Sequence, residues 1–210
     1  METRSPILVI GCAALAGEVA ALSRLNGWEH LETEWLPADL HTRPDEIPAA
    51  VEAKLREARG QYDEIFIAYA DCGTGGQLDA LLERHGVSRL PGAHCYAFFA
   101  GPGRFEALQE EELGTFYLTD FLVRNFDRLV VRGLGLDRHP ELHSAYFGHY
   151  RRVVYLAQQR SGELEDRARA CAAKLGLEFE IVFTGLGPFA EARGGEPEPR
   201  VPDPEAPWSG

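Results

Sequence analysis

The chain is poor in basic residues and in cysteine and has no long apolar run, and each shortage removes a class of function. Of its 210 residues only 21 are Lys or Arg, against 33 Asp and Glu, so the formal charge is −12. The bases are scattered along the sequence, so this field repels nucleic acid and anionic membranes, and neither is expected as a partner. No stretch approaches the roughly 18 consecutive apolar residues that a membrane span requires. The opening METRSPILVIG is too short and wrongly ordered for a secretory signal, and a cytoplasmic protein is expected. In a reducing compartment the four cysteines read as thiols or metal ligands rather than as a disulfide framework. There is no CxxC pair and no compact zinc-finger spacing. Neither a GxSxG elbow nor HExxH occurs, so hydrolase readings lose their usual support.

What is present is a sequence of alternating β and α units. With 45% of residues apolar, the chain can bury a sizeable core. The expected architecture is α/β: a single domain over 1–192 with a mostly parallel, doubly wound sheet flanked by helices. ILVIG (7–11) is a short β-branched run, followed by helical spacing in AALAGEVAALSRL (13–25). HLETEWLP (30–37) suits a half-exposed strand, and RPDEIPAAVEAKLREAR (43–59) a helix with acids in its first turns and Arg near its end. YDEIFIAYAD (62–71) reads as a third strand, and QLDALLERHG (77–86) as a helix stopped by Gly86. The apolar residues of GTFYLTDFLVRNFDRLVVRGLG (114–135) fall at helical spacing and predict one heavily packed helix. A short helical segment (139–150), a strand (151–158), an amphipathic helix (163–176) and a last strand (177–185) complete the fold. The Pro-, Gly- and acid-rich segment 193–210 is expected to be a disordered tail. It carries four acids and two bases, so the remainder still stands at −10.

Three cysteines sit where a strand-like run breaks into a turn: Cys12 in ILVIGCAALAGE, Cys72 in EIFIAYADCGTGG and Cys95 in LPGAHCYAFFAG. A parallel α/β sheet places ligands outside the carboxyl ends of its strands, so residues far apart in sequence can converge there. Cys12, Cys72 and Cys95, with the adjacent His94, therefore form a candidate metal site. Thiolate and imidazole suit zinc or an iron–sulfur cluster rather than Mg²⁺ or Ca²⁺. The competing reading is that each is a small buried hydrophobe, since free Cys is among the most buried residue types. Cys171, mid-helix, is read that way. Gly73, Thr74 and Gly75 open a glycine-rich turn whose backbone could meet a bound anion. The turn lacks the Lys-Ser/Thr of a Walker loop, and Leu78 stands where a dinucleotide fingerprint needs Gly or Ala. Asp71 and Asp120 are candidate acid–base residues, and Tyr69, Tyr96, Thr119 and Arg124 candidate substrate contacts. Carboxylates near helix starts are also common caps. The run Asp137 to Leu142 is similar to the DxHxxG loop that supplies an axial histidine in corrinoid proteins, with His139 as the histidine and Leu142 in place of the Gly.

Taken together, ADLHTRP, ADCGTGGQLD, LPGAHCYAFFAG, GTFYLTDFLVRNFDR and GLGLDRHPELHSAYFGHYRRVVYLAQ resemble the bacterial and archaeal family called domain of unknown function 1638, over roughly 7–187. The resemblance implies that Cys12, Cys72 and Cys95 match recurring family cysteines, and it implies an association with corrinoid-dependent methyl transfer. The function expected is a metal-binding protein with a three-cysteine site, serving one-carbon metabolism as an enzyme. The alternative is a non-catalytic accessory module that carries a metal, cluster or corrinoid to a methyltransferase. Its partner is accordingly a small-molecule substrate or a methyltransferase or corrinoid protein.

Overall fold

A computed structural model describes residues 6–186, which fall into two compact units, 6–95 and 96–186. The tail expected over 193–210 lies outside the described residues. The class is the expected one: α/β with parallel strands flanked by helices. The strands, however, are divided between two sheets rather than joined in one.

In the first unit β1 (Ile7–Cys12), β2 (Leu31–Leu36), β3 (Glu64–Ala68) and the two-residue β4 (Ser88–Arg89) form a parallel sheet of order β2-β1-β3-β4. The crossovers are α1 (Ala16–Asn26), α2 (Ile47–Ala58) and α3 (Gln77–His85). Each buries one stripe. In α2 the buried residues are Ile47, Val51, Leu55 and Ala58, spaced four, four and three, as a core-facing helix requires. In β1 and β3, Leu8, Ile10 and Ile67 are at most 2% exposed. β1 and β3 lie close at their ends because Gly11 has no side chain. A Cβ there would stand 2.8 Å from the Ala68 Cβ and 2.9 Å from the Trp35 ring.

The second unit holds α4 (Tyr96–Ala100), α5 (Pro102–Glu111), β5 (Thr115–Thr119), α6 (Asp120–Arg124), α7 (Leu142–Phe147), β6 (Arg152–Ala157), α8 (Gly162–Leu175) and β7 (Glu178–Phe183). Its three strands form a parallel sheet of order β5-β6-β7. Leu164, Ala168, Cys171, Ala172 and Leu175 make the buried stripe of α8 and join Leu118, Val153 and Tyr155 in one core. Cys171 is thus a packing residue, and burial pushes its thiol up to about 11.

The single helix predicted over 114–135 is corrected by the structure. TFYLT is a strand, α6 follows it, and Asp127–Arg132 is a π-helical segment. A parallel strand covered on both faces reads as a continuous apolar run, as a buried helix does, so periodicity could not separate them. The boundary is drawn by Thr119, whose Oγ1 accepts from the Leu122 N–H at 3.3 Å and caps α6.

Candidate functional site

The order β2-β1-β3-β4 places its reversal between β1 and β3, where an open parallel sheet forms a crevice at the carboxyl ends of its strands. Cys12 is the last residue of β1, and Tyr69 and Cys72 follow the end of β3, its neighbour. Cys95 arrives differently from the expectation. It does not end a strand but lies in the loop between β4 and α4. That loop runs beside the continuation of β3: the N–H groups of Asp71 and Cys72 donate to the Gly92 and Ala93 carbonyls at 3.1 and 2.9 Å. Arg89 fixes the loop's start, pairing with both Asp79 oxygens at 2.6 and 2.8 Å and donating to the Leu90 carbonyl at 2.7 Å. The result is a Cys72–Cys95 contact with the two sulfurs 2.8 Å apart.

Cys72 has φ +49°, the one non-glycine residue with positive φ among those described. A side chain in this left-handed region costs about 1–2 kcal/mol. Such strain persists only where surrounding structure enforces it, and it concentrates at functional sites.

The two thiols do not share their proton equally. Cys72 is held below the usual thiol range, chiefly because Cys95 donates a hydrogen bond to it, with backbone N–H groups assisting. Cys95 is pushed up for the complementary reason, and burial adds to the rise. Within the pair Cys72 is thus the more readily ionised sulfur and Cys95 the less. Cys12 is buried, and burial pushes its thiol up. The Tyr69 hydroxyl is buried beside Cys12. Burial foremost, and then the three neighbouring thiols, keep it protonated. His94 stands against His41, ring centroids 5.6 Å apart and edge to face. Burial and this neighbour push His94 down to about 4, and burial lowers His41 too, so both imidazoles are neutral at pH 7. His41, in the quoted segment ADLHTRP, went unassigned because its partner is 53 positions away. Among the described residues no group of three or more His, Cys, Asp or Glu side chains is arranged to hold a metal ion.

Asp71 is not free to act as a general acid or base. Its Oδ1 accepts from the Thr74 hydroxyl and the Gly76 N–H at 2.8 and 2.9 Å, and its Oδ2 from the Gly73 and Gly75 N–H groups at 3.2 and 3.3 Å. The turn that sequence offers to an external anion, Gly73, Thr74 and Gly75, is thus closed on the protein's own carboxylate. Gly73 and Gly76, at φ +86° and +81°, supply the backbone this requires. Asp71 is a positioning residue that locks the turn carrying Cys72. These bonds, that of Gly76 foremost, hold its carboxyl below the usual range. A depressed carboxyl adds stability that is fully present above an ordinary Asp value of about 4 and is lost as pH falls through the folded value. Asp71→Asn is therefore expected to lose roughly 1 kcal/mol at pH 7 and to flatten the decline of the urea midpoint between about pH 5 and pH 3.

Tyr96, Thr119, Asp120 and Arg124 belong to the second unit. Tyr96 stacks with Tyr117 and Phe105, ring centroids 5.4 and 6.4 Å away. Thr119 is the α6 cap. Asp120, 1% exposed, sits at the carboxyl ends of β5 and β6, where its Oδ1 accepts from the Tyr155 hydroxyl at 2.6 Å and the Gln158 N–H at 3.0 Å. Its Oδ2 has no partner among the described residues. Arg124 is exposed on α6. His139 lies in an exposed turn with its Nδ1 3.2 Å from Glu141, and α7 begins only at Leu142.

These features define an all-parallel α/β protein with cysteines gathered at a strand-order switch. The chain belongs to the family described as "Protein of unknown function (DUF1638)", whose model matches residues 35–192. Cys72, Cys95, Tyr69, His41 and His94 lie within the match, whereas Cys12 precedes it. The match therefore starts later than the motif resemblance over 7–187. None of the curated proteins matches the chain. Among solved structures, ornithine carbamoyltransferase from Pyrococcus furiosus is similar at 12% identity, over 85% of this chain and 54% of that one. The TM-score is 0.23, at which the likeness carries no argument.

Proposed function

We propose that the protein works through the Cys72–Cys95 pair, with Cys72 the nucleophile and Cys95 the resolving thiol in exchange with a disulfide substrate. The observation that carries this reading is the 2.8 Å contact between the two sulfurs at the sheet's switch point. The chemistry closes without a further reactant. The Cys72 thiolate attacks one sulfur of R–S–S–R′, forms a mixed disulfide and releases R′–S⁻. Cys95, on giving up its proton, attacks the Cys72 sulfur, forms the Cys72–Cys95 disulfide and releases R–S⁻. The protein dithiol is oxidised by two electrons and the substrate disulfide is reduced by two.

A second reading, favoured by the third thiol, is a soft metal ion or cluster, zinc or iron, on Cys12, Cys72 and Cys95. Three soft donors suit that chemistry by type, but as they stand among the described residues they form no coordination shell. The Cys72 and Cys95 sulfurs would have to part toward the roughly 4 Å implied by about 2.3 Å metal–sulfur bonds. In that reading the site serves methyl transfer, as an enzyme or as an accessory carrier.

One experiment separates the two. Protein purified anaerobically is analysed for metals and then mixed with a small symmetric disulfide. The exchange reading expects two small thiols released per chain, a mass loss of two hydrogens, and a product arrested as a mixed disulfide in Cys95→Ala. No release from metal-free reduced protein overturns it. Stoichiometric zinc or iron that is lost in Cys12→Ser selects the metal reading instead.

A further inference from the structure

Five of the 21 bases come together in the second unit. Arg124, Arg128 and Arg132 follow one another at intervals of four on α6 and the π-helical segment, and Arg167 and Lys174 stand seven apart on α8. All five line one cavity of about 800 Å³. The lining contains a single carboxylate, Asp127, and it is already paired with Lys174 at 2.6 Å. Arg124, Arg128 and Arg132 have no carboxylate partner among the described residues: Arg128 donates to the Asn125 side-chain oxygen at 3.2 Å and Arg132 to the Asp127 backbone carbonyl at 3.4 Å. Arg167 forms a long ion pair with Glu163 at 3.8 Å on its own helix and donates to the Arg124 carbonyl at 3.5 Å, and its charge, like that of Arg132, also acts on Asp127.

In a chain of net charge −12, five cations against one acid in one cavity are a local reversal of sign. Unpaired guanidiniums side by side repel one another, and an arrangement that leaves them so is compensated when an anion joins them. The wall that carries Arg128 and Arg132 is π-helical, a rare backbone that is frequent at functional sites. The cavity is also of the size that small-molecule sites occupy, roughly 300–1,000 Å³.

We propose that this cavity binds a small ligand carrying two or more phosphate charges. Planar guanidinium forks match phosphate oxygens two at a time, and several of them around one space suit a ligand with several such oxygens rather than a single carboxylate. The site lies wholly within the second unit and is independent of the cysteine pair.

The test is calorimetric titration of the full chain with inorganic pyrophosphate at low and at high salt. Citrate and a short single-stranded oligonucleotide serve as comparison ligands. Pyrophosphate is expected to bind, to weaken as salt screens the cavity, and to bind at least about tenfold more weakly to Arg128→Ala/Arg132→Ala, since a hydrogen bond to a charged group contributes roughly 1.5–3 kcal/mol. Arg128→Lys/Arg132→Lys keeps both charges on exposed positions and should fall between wild type and the alanine pair. Arg84→Ala, on α3 of the first unit, should bind as wild type does. Absence of pyrophosphate binding at millimolar concentration overturns the proposal, as does binding indifferent to both Arg128/Arg132 pairs. Citrate binding as tightly as pyrophosphate overturns the phosphate assignment. An oligonucleotide that binds where pyrophosphate does not overturns the small-ligand class.

Discussion

Cys72→Ser is expected to abolish the fast alkylation of this protein at neutral pH, while Cys171→Ser leaves it unchanged. Alkylation by iodoacetamide requires the thiolate, and among the four thiols Cys72 alone is held below the ordinary range. Cys12 and Cys171 are pushed up by burial, and Cys95 by donating to Cys72 as well as by burial. The pH profile of wild type, followed by mass spectrometry, should therefore show one residue reacting with a midpoint below that of a free cysteine. Cys95→Ala removes the donor. The Cys72 value then rises, and once it lies above pH 7 alkylation there slows by about threefold for each further unit, the loss of thiolate being partly offset by its greater nucleophilicity. Alanine is the informative replacement, because a serine hydroxyl would go on donating. Cys72→Gly separates function from scaffold: it removes the sulfur but also the strain of a side chain at φ +49°, so it should abolish alkylation without lowering the urea midpoint. An ordinary thiol pH profile for Cys72, or a profile unmoved in Cys95→Ala, would show that the contact between the sulfurs has no chemical consequence.

Much of the fold is legible in the chain, and the failures have physical causes. β1, β2, β3, β6 and β7 fall within a few residues of the runs that predict them, because short β-branched segments bounded by turns admit few other readings. TFYLT does not, since Phe116, Tyr117 and Leu118 belong to a strand buried on both faces and merge with the apolar positions of α6. The division into two sheets is equally hidden. A strand run shows that it pairs, not with which partner, and β4 is only two residues long. At the site, Cys12 and Cys72 are readable from their positions after strands. What sequence could not show is the loop pairing of Asp71 and Cys72 with Gly92 and Ala93, which brings Cys95 to Cys72. The spacing of Arg124, Arg128 and Arg132 was visible. Its meaning depended on Arg167 and Lys174 facing the same cavity from α8.

Asp120→Ala is expected to be the most destabilising single change in the second unit, lowering stability by about 3–5 kcal/mol. Asp120 ties the end of β5 to the end of β6. Its Oδ1 receives the Tyr155 hydroxyl and the Gln158 N–H, and its own N–H donates to the Gln158 Oε1 at 2.7 Å. All of these groups are buried, Tyr155 at 1% exposure. Truncation to alanine leaves two buried donors without their acceptor, and each such loss costs roughly 1–3 kcal/mol. Asp120→Asn should cost less, because its carbonyl oxygen can still accept both donors. Its amide must then occupy the buried place of Oδ2, which has no hydrogen-bond partner among the described residues. Tyr155 supplies an independent check. Burial foremost, and then the adjacent carboxylate, raise its hydroxyl above the ordinary range. The folded state therefore holds this proton where the unfolded chain releases it, and stability should fall as pH rises past about 10. Urea unfolding should rank the variants wild type, Asp120→Asn, Asp120→Ala, and Tyr155→Phe should remove part of the alkaline decline. Equal midpoints for wild type and Asp120→Ala would mean that this carboxylate does not hold the two strand ends together.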